Sequence, residues 1–147
     1  MDVVQVEVST VIDRPIEDVF RFVEDEHNLP RWDDDLIKAT KTSDGPIGTG
    51  TRFHLDIKPF MGTTEGEGEV VDHQPNDVIE LRFDMGKMKT HVHHLFDVQG
   101  KSTRFTRRVE VQPEGFLKMM QPLMKGMIQK RNVAYLAKLK SLIESES

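Results

Sequence analysis

The chain predicts an α+β fold: a curved antiparallel sheet of seven strands wrapped around one long C-terminal helix, with two short helices after the first strand. Three observations predict it. Seven stretches between residues 4 and 111 have strand character, and in most of them apolar and polar residues alternate with a period of two. The later stretches are joined mostly by short turns, which requires antiparallel neighbours. Residues 115–144 then change to helical spacing, and a sheet curled onto such a helix buries both apolar faces. No repeat, low-complexity segment or linker interrupts the 147 residues, so 1–147 reads as a single domain.

The elements follow in order. Val4, Val6, Val8, Thr10 and Ile12 share one face of the first strand. Pro15 suits the first position of a helix, Glu17 and Asp18 suit its positive end, and Ile16, Val19, Phe20 and Val23 form its apolar stripe. A short helical turn through Asn28-Leu29-Pro30-Arg31-Trp32 comes next. Residues 36–42 form a short strand ended by Ser43-Asp44-Gly45-Pro46, a strong turn signal. Residues 52–58 alternate cleanly until Pro59. Residues 63–72 alternate Glu65, Glu67 and Glu69 with Thr64, Gly66, Gly68 and Val70. Two glycines inside a strand point to sharp curvature or to close approach of another group. Residues 78–84, 89–99 and 102–111 complete the sheet, with Gly100-Lys101 as a tight hairpin turn. The closing helix carries Leu117, Met120, Met124, Met127, Ile128, Tyr135, Leu136, Leu139, Leu142 and Ile143 at helical spacing, would span about 45 Å, and is expected to kink at Pro122.

Composition narrows the function classes. The chain is 37% hydrophobic and 31% charged, the balance of an ordinary globular protein. It has no apolar run of membrane-spanning length and no secretory leader pattern, so a cytoplasmic protein without stable membrane insertion is expected. The absence of cysteine removes disulfides, thiol nucleophiles and thiolate metal sites. Charge is uneven: residues 1–86 hold 20 acids against 8 bases, and residues 87–147 hold 5 acids against 12 bases. Because the bases alternate with apolar residues, two halves attracting each other is the expectation, and no nucleic-acid partner is assigned.

Several motifs carry a family resemblance. Ile12-Asp13-Arg14-Pro15-Ile16-Glu17-Asp18-Val19-Phe20, Leu29-Pro30-Arg31-Trp32, Gly45-Pro46-Ile47-Gly48-Thr49-Gly50-Thr51 and Ser102-Thr103-Arg104-Phe105-Thr106 are among them. With Arg131, Leu136, Leu139, Lys140, Leu142, Ile143 and Glu144 of the closing helix, they resemble the START-like superfamily, also called SRPBCC, in its polyketide cyclase/dehydrase and lipid-transport branch. The resemblance runs from about Val4 to Glu144. It implies a helix-grip fold enclosing a cavity for an apolar ligand. Its motifs are turns, caps and core positions, so they speak for fold and do not choose a function.

Candidate site residues fall into groups. Met120, Met124 and Met127 are expected to line the inner face of the helix, since methionine fills irregular, adaptable pockets. Phe20, Trp32, Phe53, Phe83, Phe96 and Phe105 add aromatic bulk to the same ligand-binding interior. Phe60 and Met61 in one loop, and Met85 and Met88 in another, put apolar residues where turns are usually polar. The resemblance places these loops at the cavity entrance, which makes them gates; a surface cluster or a dimer patch is the alternative.

His94 shares the apolar face of its strand with Val92 and Phe96, and Arg107 shares that of Thr103, Phe105, Val109 and Val111, so both point inward. Arg131 lies one turn beyond Met127. A desolvated guanidinium must be paired or meet an anion. His94 and Arg107 are therefore the candidates for holding a ligand carboxylate, polarising a carbonyl or moving a proton. The plainer alternative pairs Arg107 with Asp84 or Glu110. The runs Glu24-Asp25-Glu26 and Asp33-Asp34-Asp35 read as solvated connections.

His91 and His93 share the opposite face, close enough to chelate, with His54 as a third donor that spacing does not fix. A solvated outer face beside Asp56 or Glu80 is the plainer reading, and neither metal nor cofactor is assigned. The sequence therefore predicts a module that binds or carries a hydrophobic small molecule such as a lipid, isoprenoid or polyketide-like compound. The alternatives are a cyclase/dehydratase-type enzyme and an interaction module or homodimer.

Overall fold

A computed structural model describes residues 3–60 and 62–146. Strand β1 (Val4–Ile12) alternates buried and exposed residues almost throughout. Its exit turn is fixed by the Arg14 N–H donating to the Ile12 carbonyl at 2.8 Å and the Thr103 hydroxyl donating to the Arg14 carbonyl at 2.9 Å. Helix α1 (Ile16–Glu24) has Pro15 at its N-cap, one position earlier than expected, and Glu17 and Asp18 in its first turn. Val19, Phe20, Phe22 and Val23 face the core. Helix α2 (Leu29–Trp32) is one turn that buries Leu29 and Trp32.

The remaining strands are β2 (Leu36–Lys41), β3 (Arg52–Phe60), β4 (Thr63–Gln74), β5 (Val78–Met85), β6 (Met88–Gln99) and β7 (Ser102–Pro113). Together with β1 they form one sheet in the order β1-β7-β6-β5-β4-β3-β2, and every pair is antiparallel. Register shifts in β2, β3 and β4 mark irregularities where the sheet can bend. The glycines of β4 admit close neighbours and leave no empty space. A Cβ on Gly66 would meet the Asp84 carbonyl at 2.7 Å, and one on Gly68 would meet the Phe83 ring at 3.0 Å.

After β7 the chain makes a 3-10 segment, Gly115–Met120, and then helix α3, Gln121–Ser145. Pro122 sits in the first turn of α3, where its missing N–H would have had no helical partner. It starts the helix instead of kinking it. Helix α3 packs along β1 and buries Met124, Asn132, Tyr135, Leu136, Leu139 and Ile143. The result is the helix-grip arrangement. Among the described residues no helix is long and apolar enough to cross a membrane.

Candidate ligand-binding site

Between the sheet and α3 lies a cavity of about 90 Å³. Leu36, Phe83, Val109, Val111 and Ile128 give it apolar walls, and Met85 and Met88 line it where β5 turns into β6. Its polar residues are Asp33, Asp35, Thr90, Arg107, Arg131, Asn132 and Tyr135. The volume is far below the roughly 300–1,000 Å³ of an ordinary ligand pocket. It is also below the roughly 150 Å³ of an engineered cavity that admits benzene. Met85 and Phe83 approach Gly66 and Gly68 closely, so the glycines add no room to it.

Arg107 is the centre of the polar part. Its Nη2 donates to Asp33 Oδ2 at 3.2 Å, and both residues are buried. The guanidinium carbon lies 5.0 Å from the centre of the Trp32 ring and 5.8 Å from that of Tyr135, distances at which a cation is attracted to a ring face. The Nε and Nη1 groups are buried and have no partner, as are Thr90 Oγ1 and Asn132 Oδ1. Burial pushes the Asp33 carboxyl above its ordinary 3.8, against the opposing pull of Arg107. The Tyr135 hydroxyl donates to Asp35 Oδ2 at 2.5 Å, and burial holds that phenol well above its ordinary 10. Arg131 donates to Asp35 through Nη2 and to the Tyr135 oxygen through Nε. The site thus combines apolar walls with unspent donors and acceptors, the pattern that orients a mostly apolar ligand.

The pairing of Arg107 corrects two expectations. Its partner is neither Asp84 nor Glu110, and the run Asp33-Asp34-Asp35 is not merely solvated. Asp33 meets Arg107, Asp34 accepts from Lys138 at 2.7 Å, and Asp35 meets Arg131 and Tyr135. The connection from α2 to β2 turns its three carboxylates towards cations of β7 and α3. The attraction between an acidic first half and a basic second half has its closest expression here. No periodic signal in the sequence singles out Asp33 among the three acids.

Other predicted residues divide by location. Phe83, Arg107 and Arg131 line the cavity. His94 is buried but does not line it; its ring centre lies 5.6 Å from that of Trp32 and 5.3 Å from that of Phe105, and neither nitrogen has a partner. Burial, reinforced by the charge of Arg107, keeps this imidazole well below its ordinary 6.5 and therefore neutral. Phe20, Phe96, Phe105 and Trp32 pack as a continuous aromatic block, with centroid separations of 4.9 to 6.2 Å. They are core, outside the cavity wall. Phe53 faces a separate space of about 20 Å³.

The methionine stripe is corrected as well. Met124 is buried without lining the cavity, whereas Met120 and Met127 are 44% and 50% exposed. The buried line of α3 runs from Met124 through Ile128 to Asn132, steps of four residues, so Met127 falls to one side. Met120 belongs to the 3-10 segment, whose three-residue turn shifts the phase. Of the expected gates, Met85 and Met88 contribute to the cavity wall, Phe60 is exposed and does not line it, and Met61 lies outside the described residues. Beside the β5–β6 turn, the Glu114 N–H donates to the Lys87 carbonyl at 2.9 Å, extending the pairing of β6 with β7 by one position.

On the outer face, His54 faces Asp56, Glu65 and Glu67, while His91 and His93 face Glu80. His54 is therefore not their third partner.

A family profile described as "Polyketide cyclase / dehydrase and lipid transport" matches residues 3–144. No curated protein matches the sequence. Several solved structures match its fold. The Zhui aromatase/cyclase from Streptomyces sp. R1128 aligns over 97% of this chain and 94% of its own, at 12% identity and a TM-score of 0.76. TTHA0849 from Thermus thermophilus aligns over 95% and 96%, at 17% identity and 0.74. Protein MLL2253 from Mesorhizobium loti aligns over 97% and 98%, at 19% identity and 0.71. At these identities the likeness is one of fold.

Proposed function

Since the chain belongs to the polyketide cyclase/dehydrase and lipid-transport family, we propose that it binds a hydrophobic small molecule between its sheet and α3. A lipid, an isoprenoid or a polyketide-like ring matches the apolar character of the walls, and Arg107 meets an oxygen of that ligand. The observation that carries this reading is the pair of unpartnered, buried Arg107 donors in a cavity whose remaining wall is largely apolar. Leaving such donors unmet is costly, and a ligand carbonyl or carboxylate relieves that cost.

A space of about 90 Å³ must widen to take such a guest. The first turns of α3 and the β5–β6 turn are the parts that move. Leu123 and Met127 are exposed on that stretch of helix, and only Met124 of it is buried. Movement there leaves the Asp33–Arg107 pair in place.

A second reading is a cyclase or dehydratase, in which Arg107 polarises a carbonyl of the folded substrate. It is supported by Arg107, Asp33 and Tyr135 lining the cavity, ionisable groups of the kind such chemistry uses.

Native mass spectrometry of the purified protein tests both readings. A retained apolar compound supports binding. Its recovery unchanged after incubation favours carriage, and recovery with loss of one water favours the enzyme. Ile128→Trp, placed on the cavity wall, should abolish retention and the oleate-displaceable binding of anilinonaphthalene sulfonate while leaving the circular dichroism intact. If the wild type retains nothing and binds no displaceable dye, or if the variant behaves as wild type, the proposal fails.

A further inference from the structure

The outer face of the sheet carries a second constellation, independent of the cavity. His91 and His93 project from β6 to the same side, with ring centroids 4.7 Å apart and planes inclined by 30°. On β5, Glu80 lies directly across from His93 in the register. Its two carboxylate oxygens divide between the rings: Oε2 is 2.5 Å from His91 Nε2, and Oε1 is 3.4 Å from His93 Nε2. One donor atom from each of the three residues falls within 4.8 Å of the others, and all three side chains are partly buried. The Nδ1 of His93 is buried and unpartnered.

We propose that Glu80, His91 and His93 bind one borderline divalent transition ion, with Zn²⁺ the chemically preferred occupant. Two imidazoles and a carboxylate suit that class, whereas Mg²⁺ and Ca²⁺ take oxygen ligands. Bonds of about 2.0–2.2 Å in a tetrahedron put neighbouring donor atoms about 3.3 Å apart. The His93–Glu80 separation already has that span, and the His91–Glu80 separation needs to open by roughly 1 Å, a side-chain rotation. The rigidity comes from position. The ligands sit on paired strands inside the sheet, with β4 beyond β5 and β7 beyond β6. The fourth coordination position falls to water.

The surrounding charges do not oppose an ion. Arg82 lies across from His91 and faces Glu69 at 3.9 Å, while Arg108 lies across from His93 and is held by Glu7 at 3.0 Å. Glu110, on the β7 side of His91, adds a further carboxylate. Among the described residues, the other two His-containing clusters, Asp25–Glu26–His27 and His54–Asp56–Glu65, offer one imidazole each and reach further into solvent. An ion at Glu80 would cross-link β5 to β6, the hairpin whose turn carries Met85 and Met88.

Metal-stripped full-length protein titrated with Zn²⁺, and separately with Co²⁺, provides the test. One ion per chain should bind, with a visible Co²⁺ spectrum of tetrahedral type, a thermal midpoint raised by roughly 5 °C at saturation and no comparable response to Mg²⁺. His93→Ala and Glu80→Gln should each weaken Zn²⁺ at least about tenfold, while a double His27→Ala, His54→Ala variant keeps wild-type affinity. Apo-protein melting confirms that each variant is folded. Absence of binding, unchanged affinity in folded His93→Ala, or loss of binding in the double variant would overturn the site.

Discussion

The two halves of α3 are made from the same helical backbone yet are held differently. In residues 131–145, Tyr135, Leu136, Leu139 and Ile143 are buried, and side chains on both flanks are tied down. Lys138 reaches Asp34, Arg131 reaches Asp35, and Glu144 accepts from the Asp13 N–H at 2.8 Å. In residues 121–130 only Met124 is buried, and Leu123 is 75% exposed. The cavity lies at the junction, lined by Ile128, Arg131, Asn132 and Tyr135. The contrast teaches where the grip is firm and where it is loose: one end of the helix is anchored by buried side chains and ion pairs, while the other buries only Met124.

Substitutions can break that contrast or sharpen it. Leu139 has no exposed surface, so Leu139→Ala should cost about 2–5 kcal/mol in urea unfolding. Leu123→Ala should change stability by less than about 0.5 kcal/mol; equal effects would abolish the distinction. Arg107→Met strands the buried Asp33 and should cost about 3 kcal/mol. Adding Asp33→Asn should recover much of that, as a double-mutant cycle would register. Gly126 lies in the less buried half, and a Cβ there meets nothing within 4 Å. Gly126→Ala should therefore stabilise by about 0.4–1 kcal/mol and slow dye uptake in stopped-flow if this half is the one that opens.

The smallest effect comes with acid. Asp34 is held below its ordinary 3.8 by the hydrogen bond from Lys138, and Glu144 below 4.5 by that from Lys140. Both folded-state values are depressed, so the stability they contribute is fully present above those ordinary values. It is lost as pH falls through the depressed ones. The thermal midpoint of the wild type should drop more steeply below about pH 4.5 than that of an Asp34→Asn, Glu144→Gln double variant.

Much of the fold was legible because alternation is a local signal. All seven strands lie where period-two patterning or turn residues placed them, and the inward aim of His94 and Arg107 followed from the same alternation. The partner of Arg107 was not legible. Asp33 belongs to three consecutive acids on an irregular connection, where no period assigns one carboxylate to the interior. Met120 was misplaced because it belongs to a 3-10 segment whose turn shifts the phase, and Met127 because the inward line of α3 steps by four residues from Met124 to Ile128 and Asn132. The sharing of one face by His91 and His93 was readable, but choosing Glu80 as their neighbour required the β5–β6 register.

The sheet ends at β2, six residues paired only with β3. Its outer rim is an unfilled template for another extended chain, and Ile37, 59% exposed, makes it adhesive. Lys38 and Lys41 follow that isoleucine with charge, and the register shift between Leu36 and Lys38 spoils the straight run a visiting strand would need. Aggregation of this protein should therefore begin at β2, and these lysines are its sentries against it.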